Sequence, residues 1–325
     1  SETHPALSPD DEFADFEYFP AFLAPTLSAK APPTHTAGDY VRGALKRGLE
    51  LSSELGINPY QFGMIGSTDA HTALASADED YFWGKTARDS VPEKKQDDAI
   101  VGVDGWSMSA SGLAAVWAKD NSRDAILAAL RAREVYASTG PRMSVRLFGG
   151  WNFKPKHARN TDFADIGYAR GVPMGGILRA DGKSKVPGFL VAATREADGA
   201  NLDRVQIIKG WQSDDGAMRE RIYDVAVSDD RRINRHGRAK KSVGSTVDVV
   251  GANYTNSIGT AQLAAFWQDP DFDAEQRAFY YVRVVEIPKP RWTAYDAKTY
   301  GRTMSDEVTM TVQDRAYTTP IWYTP

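Results

Sequence analysis

The chain has 325 residues, 42% of them hydrophobic and 25% charged, a composition typical of globular proteins and long enough for one large domain or two ordinary ones. Lys and Arg total 39 against 43 acids, and a net charge of -4 gives no basis for bulk nucleic-acid binding. There is no cysteine, which excludes disulfides and thiolate metal sites, and no apolar run is long enough to span a membrane.

The first 36 residues are broken by Pro5, Pro9, Pro20, Pro25, Pro32 and Pro33 and read as irregular. The chain opens Ser1-Glu2-Thr3 without a methionine, so the expectation is that an upstream segment has been removed. Residues 38–55 read as a helix, with Leu45, Leu49 and Leu51 on its apolar side and Gly56 as its stop. A strand is expected at 61–66. A polar, Gly-rich stretch at 76–110 follows and is too long for a simple connection, which suggests a loop covering a site. A short strand at 113–117 and a helix from about Asn121 come next, with Ile126, Leu127 and Leu130 on its inner face. After Gly140-Pro141 the texture becomes β-rich, with strands expected at 143–148, 188–194, 205–209, 221–227 and 279–287. No helix-crossover rhythm remains there, so an antiparallel, sandwich-like arrangement is expected.

The chemistry-bearing stretch is Phe62-Gly-Met-Ile-Gly-Ser-Thr-Asp-Ala-His71. At the end of a strand, Asp69 and His71 would project to the same side and present a carboxylate oxygen beside an imidazole nitrogen. That mixed pair suits zinc, manganese or iron better than calcium. Ser67, Thr68 and Thr72 could orient such ligands or simply bond a turn. The competing account of Asp69 and His71 is an Asp-capped turn with a hydrogen-bonded histidine.

Ser67-Thr68-Asp69-Ala70-His71 resembles the last metal-binding motif of the polymerase and histidinol phosphatase (PHP) superfamily. Arg133-Glu134-Val135-Tyr136-Ala137-Ser138-Thr139-Gly140 resembles the exit of PHP-like barrels into an appended β domain. More closely, the chain resembles the carboxyl-terminal portion of the family called domain of unknown function 3604. Ser1-Glu2-Thr3-His4-Pro5, Asn58-Pro59-Tyr60-Gln61-Phe62-Gly63, Phe148-Gly149-Gly150-Trp151, Ile207-Ile208-Lys209-Gly210-Trp211, Tyr280-Tyr281-Val282-Arg283 and Pro320-Ile321-Trp322-Tyr323 carry that likeness. The resemblance implies an α/β-plus-β protein. Residues 1–140 would be the last strand-helix units of a distorted (β/α) barrel. Residues 141–325 would be a sandwich-like β domain whose last strand packs back on the barrel.

The resemblance also implies divalent metal ions and hydrolysis, usually of phosphoesters, with a small-molecule ester as substrate. Asp69 and His71 become the expected catalytic metal ligands, with Glu2 a further ligand and His4 and Arg142 beside the site. The superfamily's early His-x-His motif is missing from this chain, whose histidines are His4, His35, His71, His157 and His236. The remaining ligands are therefore expected upstream, in an amino-terminal half that stays associated. The functional expectation is a metal-dependent hydrolase. Its rivals are a non-catalytic binding or structural module, and a metal-dependent lyase or ester hydrolase acting on a non-phosphorylated substrate.

Among the remaining candidates, Lys85, Arg88, Arg133 and Arg142 are possible anion binders. His35 is expected at the surface, His157 and His236 in solvated loops, and the basic run Arg231–Lys241 at a hairpin tip. Asp269-Pro-Asp271-Phe-Asp273 starts like a calcium loop, but Ala274 and Tyr280 stand where such a loop needs Gly and Glu, leaving a turn.

Overall fold

The computed structural model describes residues 2–17, 36–74, 78–95, 98–100, 103–110, 112–182 and 185–325. His35 lies outside them. Its principal elements, in chain order, are α1 (Val41–Leu55), β1 (Leu113–Val116), α2 (Arg123–Ala132), β2 (Val135–Ser138), β3 (Ser144–Gly150) and α3 (Phe163–Arg170). Then follow β4 (Val172–Pro173), β5 (Ile177–Arg179), β6 (Gly188–Thr194), β7 (Leu202–Gln212), β8 (Met218–Val227), β9 (Gln262–Gln268) and β10 (Ala278–Glu286). The series ends with α4 (Trp292–Tyr300), β11 (Arg315–Thr318) and β12 (Ile321–Thr324).

Two sheets dominate. The larger runs β8-β7-β10-β11-β2-β1, with β12 also pairing β10 and β5 adding to β12. The smaller runs β9-β6-β3-β4. In the larger sheet, the pairing of β12 with β5 is parallel while those of β7, β8, β10, β11, β1 and β2 are antiparallel. The alternating residues explain the layering. Val205 and Ile207 of β7 and Tyr280, Val282 and Val284 of β10 point into a core shared with Val145, Leu147, Phe189 and Val191 of the smaller sheet. The opposite face of the larger sheet presents Ile208, Phe279 and Tyr281, and α1 covers these with Leu45 and Leu49.

The expected barrel is not there. Residues 61–66 make no ladder, and β1 and β2, although joined by a helix, pair antiparallel with each other. Both belong to the same sheet as the strands after residue 140, because β2 pairs with β11. An apolar strand, an amphipathic helix and another strand read the same whichever way the second strand runs. Here the remote β11 sets that direction. The sandwich-like second half is present, with β6 at the expected residues, β7 and β8 extending beyond theirs, and β3 and β10 displaced from theirs by one or two residues.

The helices follow their local signals. Helix α1 ends at Gly56 in the left-handed region (φ 76°), and the backbone N–H of Gly56 donates to the Ser52 carbonyl. Helix α2 begins at Ser122, whose side chain accepts from Ala125 N at 3.2 Å, but Leu127 and Leu130, expected on its inner face, are exposed.

Charges pin residues 2–16 across the outer face of the larger sheet. Arg283 of β10 donates to Glu2 and, at 2.6 Å, to Asp11, and Arg42 of α1 reaches Asp11 at 2.8 Å and Glu2 at 3.0 Å. Tyr281 donates to Glu2 and accepts from Arg42 Nε at 2.9 Å. These groups are buried. Burial by itself would raise the pKa values of Glu2 and Asp11, but the two guanidiniums outweigh it and hold both carboxyls below their ordinary range.

The stretch expected at 76–110 to cover a site is, among its described residues, partly packed around its own small core. Phe82, Trp106 and Met108 gather on Trp292 of α4, and Trp106 stacks on Trp292 at 5.6 Å.

Candidate functional site

Beside the outer face of the larger sheet is a cleft of about 320 Å³, whose wall includes Glu2, Glu17, Gly66, Asp69, Lys85 and Tyr317. Residues 61–71 reach it as extended chain held by scattered bonds. Met64 N donates to Thr319 Oγ1 at 3.0 Å, Gly66 N to the Leu113 carbonyl at 3.2 Å, and Gly112 N to the Ser67 carbonyl at 2.9 Å. A Cβ on Gly66 would stand 2.7 Å from the carbonyl oxygens of both Leu113 and Ser138, so this close crossing requires glycine.

The chain then turns. Asp69 adopts φ 47°, a left-handed conformation that aspartate tolerates better than most residues, and exposes 73% of its side chain. The His71 ring, also exposed, lies with Nδ1 3.0 Å from the Asp69 carbonyl oxygen. A turn therefore holds the pair, and it follows extended chain that pairs in no ladder instead of the strand expected at 61–66.

A second turn supplies the cleft's cation. Asp89 is fully buried, and its carboxylate accepts from Lys85 N at 2.8 Å, Thr86 N at 2.5 Å and Thr86 Oγ1 at 2.6 Å. The turn starts at Gly84 with φ 98°, where a Cβ would meet the Asp89 carbonyl oxygen at 2.7 Å. The carbonyl of Lys85 accepts from His71 N at 2.7 Å, which ties the two turns together. The Lys85 ammonium donates to the Thr68 carbonyl at 3.0 Å and lies 4.0 Å from Asp69 Oδ2. Burial pushes its pKa below the usual lysine range, against the opposing pull of Asp69, Asp89 and Glu17.

Glu2 and Asp69 share the cleft wall, but their states differ. The oxygens of Glu2 are taken by Arg283, Arg42 and Tyr281. Among the described residues, Lys85 is the charged partner of Asp69. Ser67 also lines the cleft. Thr68 Oγ1 accepts from Ala70 N at 3.4 Å, and Thr72 Oγ1 accepts from Leu74 N at 3.2 Å, both bonds of local turns. His4 Nδ1 accepts from Ala6 N at 3.1 Å and its ring lies 6.0 Å from that of Tyr40; it is not part of the cleft wall.

Of the other basic candidates, Arg142 is exposed and pairs with Glu196 at 3.1 Å, Arg133 donates to the Gln61 carbonyl at 2.6 Å, and Arg88 is exposed. Arg231, in the basic run, ion-pairs with buried Asp203 and donates to its carbonyl at 2.7 Å, so the run is anchored at its base. His157 is buried, with Nδ1 accepting from Lys154 N at 3.2 Å, where a solvated loop was expected. His236 is exposed as expected. Asp269 forms a buried ion pair with Lys209 at 2.6 Å within its turn.

Tyr317 and Asp89 escaped the sequence reading. Gly84 followed by Thr86-x-x-Asp89 is a turn signal that could have located the second turn. Nothing local marks Tyr317, which reaches the cleft through its place on β11.

The fold and cleft define a mostly antiparallel β protein built on two main sheets, with a loop-built acidic and basic site. Residues 1–325 match the model of the family described as protein of unknown function (DUF3604), and the chain belongs to that family. No curated protein and no solved structure matches the chain.

Proposed function

We propose that the cleft is the active site of a metal-dependent hydrolase acting on a small ester, with phosphoesters the first class to test. The observation that carries this reading is the Asp69–His71 pair, with Asp69 on the wall of a cleft whose buried cation is Lys85 and His71 exposed next to that wall. The two side chains suit a divalent zinc, manganese or iron ion. With Nδ1–H of His71 donating to the Asp69 carbonyl, Nε2 keeps its lone pair for a cation, the arrangement usual for ligating histidines. The Asp69 carboxylate is solvent-facing and retains oxygen lone pairs. Glu2 does not suit the role, because a cation would compete with two guanidiniums for its oxygens.

Such an ion, when bound, polarises an ester oxygen and acidifies water. The chain's own residues would hold it through Asp69 and His71. Lys85 places positive charge close to Asp69, and the 61–71 and 84–89 turns fix these groups relative to one another. A catalytic ion usually takes three protein ligands, and no group of three or more candidate ligands occurs among the described residues. The remaining donors would therefore come from outside those residues. The resemblance of Ser67–His71 to a PHP metal motif supports the metal; it lends no barrel to this chain.

The test is to load the full chain with zinc, manganese or iron(II), count bound metal by elemental analysis, and assay phosphomonoesters, phosphodiesters and carboxylic esters. Asp69→Ala and His71→Ala should each lower metal content and hydrolysis. A chain that binds no metal, or an Asp69→Ala variant that retains both properties, overturns the reading.

A further inference from the structure

We infer that Lys85 is the specificity-determining residue of this cleft, binding an oxyanion group of the ligand through its ammonium. The inference deepens the hydrolase reading and rests on it for the cleft being the substrate site.

Four observations carry it. First, the side chain of Lys85 is only 11% exposed, yet it lines a cleft large enough for a small ligand. An ammonium has three donors, and removing it from water is costly unless they are used. Thr68 takes one of them, and Asp69 stands at 4.0 Å, too far for a hydrogen bond. The amine thus retains donor capacity on the cleft side.

Second, its backbone is fixed. Asp89 holds the turn from within, Gly84 permits it, and the bond from His71 N locks it to the Asp69–His71 turn. A long side chain on a rigid base loses less freedom on binding than one on a mobile loop.

Third, Tyr317 lines the same cleft, but its hydroxyl is shut off from solvent beside the Arg315 guanidinium, so it does not compete with Lys85 for a ligand oxygen.

Fourth, the other basic candidates are engaged or displaced. Arg142 pairs with Glu196, Arg133 with the Gln61 carbonyl, and neither lines the cleft. A phosphate or a carboxylate offers the shared chemistry, an oxygen carrying negative charge that accepts from the ammonium.

The experiment titrates the full chain, with and without added zinc, with inorganic phosphate and separately with acetate, by calorimetry. Lys85→Met, Lys85→Arg and Tyr317→Phe are compared after circular dichroism confirms their folding. Wild type should bind at least one of the two anions. Lys85→Met should weaken that binding by about tenfold or more, Tyr317→Phe should leave it unchanged, and Lys85→Arg should recover part of it. Preference for phosphate over acetate would identify a phosphate-bearing ligand, and equal binding a general oxyanion site.

The inference falls if wild type binds neither anion, or if Lys85→Met binds as wild type does. These failures are separable from failure of the hydrolase reading. A chain that binds anion through Lys85 but hydrolyses no ester keeps the inference and loses the enzyme. A Lys85→Met variant that hydrolyses charged and neutral esters as wild type does keeps the enzyme and loses the inference.

Discussion

The ion cluster on the outer face of the larger sheet and the neighbouring cleft are built from the same kinds of side chain and treat charge in opposite ways. In the cluster, Glu2 and Asp11 face Arg42 and Arg283, all buried and each carboxylate oxygen close to a donor. In the cleft, Asp69 is exposed and Lys85 keeps donors to spare. Glu2 touches both regions and belongs energetically to the first. Charges satisfied by the protein itself hold the amino-terminal segment to the sheet, whereas charges left unsatisfied are those a ligand can use. Identity of residue type does not separate the two roles; the surrounding groups do.

The comparison predicts a series of effects, the largest in the cluster. Arg283→Met leaves Glu2 and Asp11 partly uncompensated in a buried setting, and should cost about 3–5 kcal/mol in urea unfolding. Wild-type stability should also depend on acid in a defined direction. The pKa values of Glu2 and Asp11 lie below their ordinary values of 4.5 and 3.8, so their contribution is complete above those values. It should be lost as pH falls through the depressed folded values. An Arg283→Met protein as stable as wild type would end the distinction between the regions.

Gly66→Ala should come next, at about 1–3 kcal/mol, because its Cβ meets two backbone carbonyls that cannot easily retreat. The displaced 66–71 segment should also lose affinity for metal and anion, and retained affinity would show that the turn is not held in place from Gly66.

A third cluster gives an intermediate case. Lys289 lies 2.7 Å from Asp314 and 3.3 Å from Glu286, one cation between two buried carboxylates. Burial raises the Glu286 pKa to about 7, with Lys289 opposing the rise and Asp314 adding to it. The folded state keeps a proton that the unfolded chain releases near 4.5, so stability should fall as pH rises from about 4.5 to 7. Glu286→Gln should flatten that segment of the curve by about 1–3 kcal/mol, and an unchanged curve would assign the slope elsewhere.

The smallest effect on stability belongs to the proposed site. Asp69→Asn should shift unfolding by less than about 0.5 kcal/mol, since the side chain is exposed and asparagine also tolerates its backbone angle. Its effect on metal content should nonetheless be large. A substantial loss of stability with unchanged metal binding would move Asp69 into the structural class.

Much of the local structure was legible. The leucine spacing and Gly56 mark α1, Ser122 opens α2, and alternating residues mark β3, β6, β7 and β10. Asp69 and His71 stood out as ligand-type residues, while the family likeness led to a barrel that the structure replaces with an antiparallel sheet. Strand direction, the engagement of Glu2 and the place of Lys85 in the cleft were not legible.

By itself, the sequence determined helices α1 and α2, the longer strands after residue 140 and which short stretch carries metal-type side chains, because periodicity, capping and turn chemistry act over a few residues. The tertiary structure alone decided that β2 pairs with β11, that Glu2 meets Arg283 and Tyr281 some 280 residues away, and that Lys85 shares a cleft with Tyr317. Those outcomes depend on contacts between distant segments, whose formation follows from burying both faces of one sheet rather than from any local pattern.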